Sequence, residues 1–449
     1  MYSKEIQKIL TKGKIEIGDE ILLEQETQKY EGLLMPRPEL GDQNCLVLKL
    51  NNGYNVGINI DDKSKIKLIK KSKPIKQKIE KESEEGEITI LGCGGTISSK
   101  VEYKTGAVYP AISQKELLNN FPEIKDITTI NTKSIFSLLS GDLNQKHWEI
   151  IGKEIEKELK KDIKGIVISH GTDTMHYTSS ALSFMFQDLP IPIILTGAQR
   201  SSDRGSSDSK LNLLSSLMAA KSDFSGIGVC MHSNLNDNLC YVHNGTRVRK
   251  MHSSYRSTFR TIGDIPVAMV SRTEIKPLRH DYKRRRSDKD VVINTAFEER
   301  VGIVYYYPNM KPDIIDSLID NDYRGIVIAG TGLGHVNKPL YPALKRAKEK
   351  NIAVYMTVQT LWGYVQMYVY DTGRDMMELG VVPTANMLPE VAYVKLGWAL
   401  GQTEDLEEIK KIMLTPINGE ITEREPSNGY LIYQGGIPEV EEFISEHRK

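Results

Sequence analysis

EITILGCGGTISSK, residues 87–100, places three glycines and a threonine at the end of an apolar run. Glycine alone takes positive φ without steric cost, so a turn of this composition lets the backbone bend sharply and lie close to something. The turn by itself leaves open whether that something is a phosphate, a packed helix or a small substrate. Outward from it, the same texture repeats in GIVIS (165–169), IPIILT (191–196) and GIGVCM (226–231). Amphipathic stretches lie between these runs, HWEIIGKEIEKELKK (147–161) and HYTSSALSFMFQDL (176–189). Strands alternating with helices predict right-handed βαβ units and a mostly parallel, doubly wound α/β sheet. Ligands of such sheets sit beyond the carboxyl ends of the strands, near the point where the strand order reverses.

The rest of the chain sorts into three further parts. VGIVYYYPNM (301–310), GIVIAGTGLGHV (325–336) and IAVYMTVQT (352–360) predict a second, smaller α/β domain. Residues 16–70 alternate short apolar stretches with the turns PRPELGD and NNG, the pattern of a small antiparallel β-barrel. KSKPIKQKIEKESEEGE (71–87) is almost wholly charged and cannot pack a core. The predicted division is a barrel over 1–73, a linker over 74–87, the larger α/β domain over 88–297, and the smaller one with a tail over 298–449.

Composition narrows the classes. Lys+Arg and Asp+Glu both total 59, so the chain lacks the overall basic field of a dedicated nucleic-acid binder, and any such contact must come from a local patch. The four cysteines have no CxxC spacing, the opening MYSKEIQKIL has no leader-like apolar region, and no apolar run is long enough for a membrane span. A soluble, cytoplasmic protein with reduced thiols is expected.

Chemistry collects at three successive strand ends: GCGGTISS, SHGTDTMHYT and TGAQRSSDRGSSDSKLNL. The first is GxGG rather than GxGxxG, and no GKS or GKT follows, which argues against a nucleotide cradle. GxSxG and HExxH are absent and the nine histidines show no ligand spacing, so no metal is read and His170 and His176 are packing or orienting groups. A threonine nucleophile remains. Its hydroxyl needs a base, and a lysine serves when its surroundings favour the neutral amine. Thr96 and Thr172 supply hydroxyls, Asp173 a carboxylate, and GTRVRK (245–250) offers Lys250, although Arg247 and Arg249 beside it fit a solvated face equally well.

GGTI (94–97), HGTDTM (170–175), GAQR (197–200) and a Gly-Thr segment ending in lysine together resemble the L-asparaginase/glutaminase family of amidohydrolases. The resemblance runs from about residue 88 to about residue 420 and implies the two-domain asparaginase-like fold. It also implies cleavage of a side-chain carboxamide, with release of ammonia, by Thr96, Thr172, Asp173 and Lys250. In that mechanism one threonine, Thr96 by preference, attacks the amide carbon. Lys250 acts as base through Thr172, and Asp173 anchors the substrate's α-amino group. Backbone at Gly95 and Gly171 lines the substrate, Ser140 in LLSGDLN (138–144) contacts the α-carboxylate, and KVEYKTGAVYP (100–110) offers Tyr103 and Tyr109 as the loop tyrosine.

With the extra barrel, HGTDTMHYTSSALSFM, GAQRSSDRGSSDSKLNLLSSLMAAKSD and VAYVKLGWALGQTED, nearly the whole chain resembles the D-subunit family of archaeal-type glutamyl-tRNA(Gln) amidotransferases. This resemblance implies hydrolysis of glutamine or asparagine to feed ammonia to the amidotransferase E subunit. That partner uses ATP and Mg²⁺ to convert the glutamate on tRNA(Gln) to glutamine, while no cofactor is bound by the present chain. A homodimeric core inside a heterotetramer is implied with it. The barrel binds tRNA, packs on the partner or caps the catalytic domain. RHDYKRRRSDKD (279–290) offers Arg284, Arg285 and Arg286 as phosphate contacts. Two other classes stay open: a free asparaginase with an accessory domain, and a degenerate scaffold without activity.

Overall fold

The computed structural model describes residues 2–36, 42–50, 55–61, 63–71, 86–95, 100–101, 108–109, 117–118, 121–200, 206–287, 290–427 and 429–430. The predicted antiparallel N-terminal domain consists of strands Glu20–Glu24, Lys29–Leu34, Cys45–Leu50, Asn55–Asn59 and Lys65–Lys70, the last returning to pair with the first. Alternation sets its faces: Ile21 and Leu23 are buried, while Glu24 meets Lys29 at 2.8 Å and Lys67 at 2.7 Å. No element is predicted before residue 16, yet Lys4–Lys12 is a helix, N-capped by the Ser3 hydroxyl, that adds Ile6 and Leu10 to the same core. Most of the predicted linker, residues 74–85, falls outside the described residues.

Beyond it stands the doubly wound sheet. Ile130–Leu138, Ile88–Gly94, Gly165–Ser169, Pro192–Thr196 and Gly226–His232 lie side by side in parallel. Leu239–Asn244, Ala268–Ser271 and Ile275–Pro277 extend it antiparallel at one edge. Strand Ile88–Gly94 has Ile130–Leu138 on one side and Gly165–Ser169 on the other, so the winding reverses there. The glycine turn and the HGTDTM turn therefore leave adjacent strands at the switch point, where such sheets place ligands. The central strands are apolar because both their faces are covered; every residue of Gly165–Ser169 and Pro192–Thr196 is buried. Helix Gln145–Leu159 starts at a capping box made by Asn144 and His147. The second predicted helix, Met175–Met185, stops short of residue 189 because Phe186–Gln187 turns away to pair with Val292–Ile293.

The smaller domain has four parallel strands in chain order: Val301–Tyr305, Gly325–Gly330, Ala353–Val358 and Val381–Pro383. Helix Pro389–Gln402 packs on this sheet and on helix Met175–Met185, so one apolar core runs through both domains, from Ile168 and Phe184 to Val327, Tyr355 and Leu396. Among the described residues no helix is long and apolar enough to cross a membrane. The same interdomain helix buries Lys395, whose Nζ donates to the Met413 carbonyl at 3.1 Å, the Thr415 carbonyl at 2.7 Å and Glu420 Oε1 at 2.6 Å. Glu420, equally buried, also accepts from the Ile417 and Asn418 amides. Removing one member of a buried pair strands the other. Lys395→Met is expected to lower stability by about 3–5 kcal/mol, with Lys395→Met/Glu420→Gln losing less than the single change, as read from denaturant unfolding of the full chain.

Candidate active site

Positive φ is used at the first strand end, with Gly94 at +91° and Gly95 at +83°. A Cβ on Gly94 would collide with the Leu138 carbonyl, and one on Gly95 would stand 2.6 Å from the His170 carbonyl carbon. The glycines thus let this turn press directly on the ends of both neighbouring strands. Thr96 and Tyr103 lie outside the described residues; Tyr109 ends the short strand Val108–Tyr109, paired with Lys100–Val101.

At the second strand end a buried relay fixes the backbone. Trp148 Nε1 donates to Thr178 Oγ1 at 3.1 Å, and that hydroxyl lies 2.9 Å from His170 Nε2. The Gly171 carbonyl, 2.6 Å away, can only accept, so Nδ1 carries the ring proton and Nε2 accepts from the Thr178 hydroxyl, which in turn accepts the indole N–H. His170 is therefore neutral, and burial lowers its pKa to about 4. It is an orienting group for the HGTDT turn, as its place in the sequence suggested, but the Trp148–Thr178 end of the relay carries no local motif. Gly171 is packed on Ser140: a Cβ there would stand 2.8 Å from both Cβ and Oγ of that serine. Thr174 Oγ1 donates to the Ser140 carbonyl at 2.6 Å, so the predicted carboxylate contact borders this turn.

The GAQR turn is held by a carboxylate. Buried Asp208 accepts from the Gln199 amide at 3.0 Å and the Arg200 amide at 2.9 Å. Asn212 Nδ2 spans Asp208 and the Gly197 carbonyl, fixing the turn to helix Ser209–Lys221.

Lys250 ends the short strand Val248–Lys250, and its Nζ lies 2.9 Å from Thr172 Oγ1 and 2.7 Å from Asp173 Oδ1. Thr172 is buried and the Lys250 side chain only 10% exposed, whereas the Asp173 side chain is 78% exposed and open to a ligand. A lysine amine against a threonine hydroxyl can exchange a proton with it, and a neighbouring exposed carboxylate can hold an ammonium group. Of the four residues implied by resemblance, the structure thus brings three into mutual contact. Arg247 and Arg249 are not a solvated face. Arg247 is buried, and its guanidinium reaches the Gly419 carbonyl at 2.8 Å, the Asn386 carbonyl at 2.9 Å and Thr422 Oγ1 at 3.1 Å. Arg249 pairs with Glu390 of the smaller domain. A guanidinium fork suits such convergent acceptors, a fit that spacing along the chain cannot reveal.

The RRR stretch divides. Arg285 donates to the Ala220 and Ser222 carbonyls at the end of helix Ser209–Lys221, and Arg286 to the Asp188 and Asp290 carbonyls. Arg284 stacks over Tyr282, 5.3 Å from its centroid, and its Nη1 lies 3.6 Å from Asp223 Oδ2 in an exposed pair, with the arginine side chain 71% exposed.

Because the folded pKa of His170 lies below the ordinary value near 6.5, its contribution is complete above pH 6.5 and is lost as pH falls toward 4. His170→Asn keeps an N–H near Nδ1 but has nothing to protonate. Between pH 7 and pH 5 it is expected to lose about 2 kcal/mol less stability than the unaltered chain, measured by urea unfolding at both pH values.

Models of three protein families match this chain: the GatD N-terminal domain over residues 15–69, the N-terminal asparaginase domain over 87–283 and the glutaminase/asparaginase C-terminal domain over 300–413. The D subunit of the glutamyl-tRNA(Gln) amidotransferase of Pyrococcus furiosus is 47% identical over 95% of this chain and 100% of its own length. That of Methanothermobacter thermautotrophicus is 43% identical over 94% and 98%. Among solved structures, the thermostable L-asparaginase of Thermococcus kodakarensis aligns with a TM-score of 0.68 at 33% identity, over 75% of this chain and 99% of that enzyme. With an asparaginase fold, an added N-terminal domain and relatives matching along almost its whole length, the chain belongs to the D-subunit family of glutamyl-tRNA(Gln) amidotransferases.

Proposed function

We propose that this chain is the ammonia-releasing subunit of a tRNA-dependent amidotransferase, and that it hydrolyses glutamine or asparagine through a threonine ester. The observation that carries the chemistry is the contact of Lys250 Nζ with both Thr172 and Asp173 at the switch point of the sheet. Thr96, two residues beyond the strand, attacks the carboxamide carbon. Lys250 takes up a proton through Thr172 and returns it to the leaving nitrogen as the C–N bond breaks. Water then cleaves the ester to give the free acid and the threonine. Asp173 holds the α-amino group, Ser140 the α-carboxylate, and the backbone at Gly95 and Gly171 lines the substrate. Ammonia passes to the partner E subunit, which activates the glutamate on tRNA(Gln) with ATP and Mg²⁺.

The subunit reading is favoured over a free asparaginase because the first residues match the GatD N-terminal model while the asparaginase of Thermococcus kodakarensis aligns with 75% of the chain. The assembly proposed is cytoplasmic, a homodimeric core joined by two partner chains. Arg284 is the one cation of the RRR stretch proposed for tRNA phosphate, since the guanidinium groups of its two neighbours are engaged by backbone carbonyls.

Ammonia release from glutamine by the full chain, alone and with the ATP-using partner and Glu-tRNA(Gln), tests this reading. Strong stimulation by the complex is expected; fast hydrolysis indifferent to both would return the chain to the free amidases. Thr96→Ala and Lys250→Ala should each cut turnover about a thousandfold or more with the fold intact; unchanged turnover in either would overturn the mechanism. Gly171→Ala displaces Ser140 and should raise KM for glutamine roughly tenfold with a smaller effect on kcat.

A further inference from the structure

Lys250 and Arg249 are neighbours in a three-residue strand, so their side chains leave on opposite faces. Lys250 turns to Thr172 and Asp173, and Arg249 turns to the smaller domain, where its Nη1 lies 2.5 Å from Glu390 Oε1. Glu390 sits in the first turn of the interdomain helix Pro389–Gln402, where the helix dipole favours a carboxylate. Its Oε1 also accepts from the Tyr305 hydroxyl at 3.1 Å, at the end of strand Val301–Tyr305. The carboxylate side chain is 5% exposed and Arg249 25%, so water competes little for the pair. Among the described residues, the strand pairs in its sheet with Phe259–Thr261 alone. A two-stranded ribbon is weakly held by its own ladder.

We propose that Arg249 is a positioning residue for Lys250: its ion pair with Glu390, shared with Tyr305, anchors the ribbon to the smaller domain and sets the reach of Nζ to Thr172. Arg247, two residues earlier, binds the Gly419 and Asn386 carbonyls and fixes the start of the strand, leaving Arg249 to fix the end that carries the lysine. The role in catalysis rests on the amidase reading above; the placement of the lysine does not.

The test uses the full chain with Arg249→Met, Glu390→Gln, the double variant and Arg249→Lys. In glutamine hydrolysis per folded molecule, the first two should each lower kcat roughly 10- to 100-fold with KM nearly unchanged, since a displacement near 1 Å is felt on this scale. The double variant should be no worse than the poorer single, and Arg249→Lys should recover part of kcat. A second readout is independent of the substrate: reductive methylation of Lys250, followed by mass spectrometry, should quicken severalfold when Arg249→Met frees the lysine from Thr172 and Asp173. Unchanged methylation, or single effects on kcat that multiply in the double variant, would overturn the proposal. If the unaltered chain releases no ammonia from glutamine or asparagine, alone or with the ATP-using partner and Glu-tRNA(Gln), the amidase reading fails and the methylation rates still decide where Arg249 holds the lysine.

Discussion

Burial of helix Pro389–Gln402 between the two α/β sheets is the interaction from which the site's geometry follows. Val391, Ala392, Val394, Leu396 and Trp398 are all buried in the core that runs through both domains. At about 1.5–3 kcal/mol for each large apolar side chain fully buried, this packing outweighs any surface ion pair in the chain. It makes the smaller domain a fixed support. Arg247 and Arg249 can then hold the strand that ends in Lys250 against carbonyl and carboxylate acceptors that do not move. The amine that meets Thr172 and Asp173 is thus carried by a strand tied to the second domain.

The other side of the site is placed by backbone. Gly94 and Gly95 are pressed on Leu138 and His170, the His170 ring holds the Gly171 carbonyl, and Asp208 gathers the amides of the GAQR turn. The histidine and the aspartate satisfy backbone polar groups that would otherwise be stranded at a buried strand end. Thr172 is therefore set on a rigid frame, whereas Asp173 beside it faces outward. A buried hydroxyl and an exposed carboxylate thus sit on consecutive residues.

The central strands are legible in the sequence because burial on both faces demands apolar runs, and GIVIS, IPIILT and GIGVCM are apolar up to a terminal Ser169 or Thr196. Strand Ile130–Leu138 is not, since an edge position tolerates Asn131, Lys133 and Ser134; nor is Val381–Pro383, too short to show a period. Thr172, Asp173 and Lys250 are legible through motif resemblance, and their contact is a tertiary fact. Arg247 reads wrongly as a solvated side chain because three cations in four residues usually face water, and only the chain folding back at Asn386 and Gly419 supplies its acceptors. Glu390 and Trp148 give no signal at all, for each acts through a partner distant in sequence.

The return of segment 415–422 onto the larger domain bears on how the chain is made. Asn418 accepts from Asn244 and Thr246 through its carbonyl and donates to the Ser183 carbonyl, and Gly419 and Thr422 receive Arg247. On the ribosome the lysine-bearing strand emerges long before these acceptors do. A nascent chain therefore lacks the acceptors of Arg247, and with them the tie at the start of strand Val248–Lys250, until synthesis has passed residue 422.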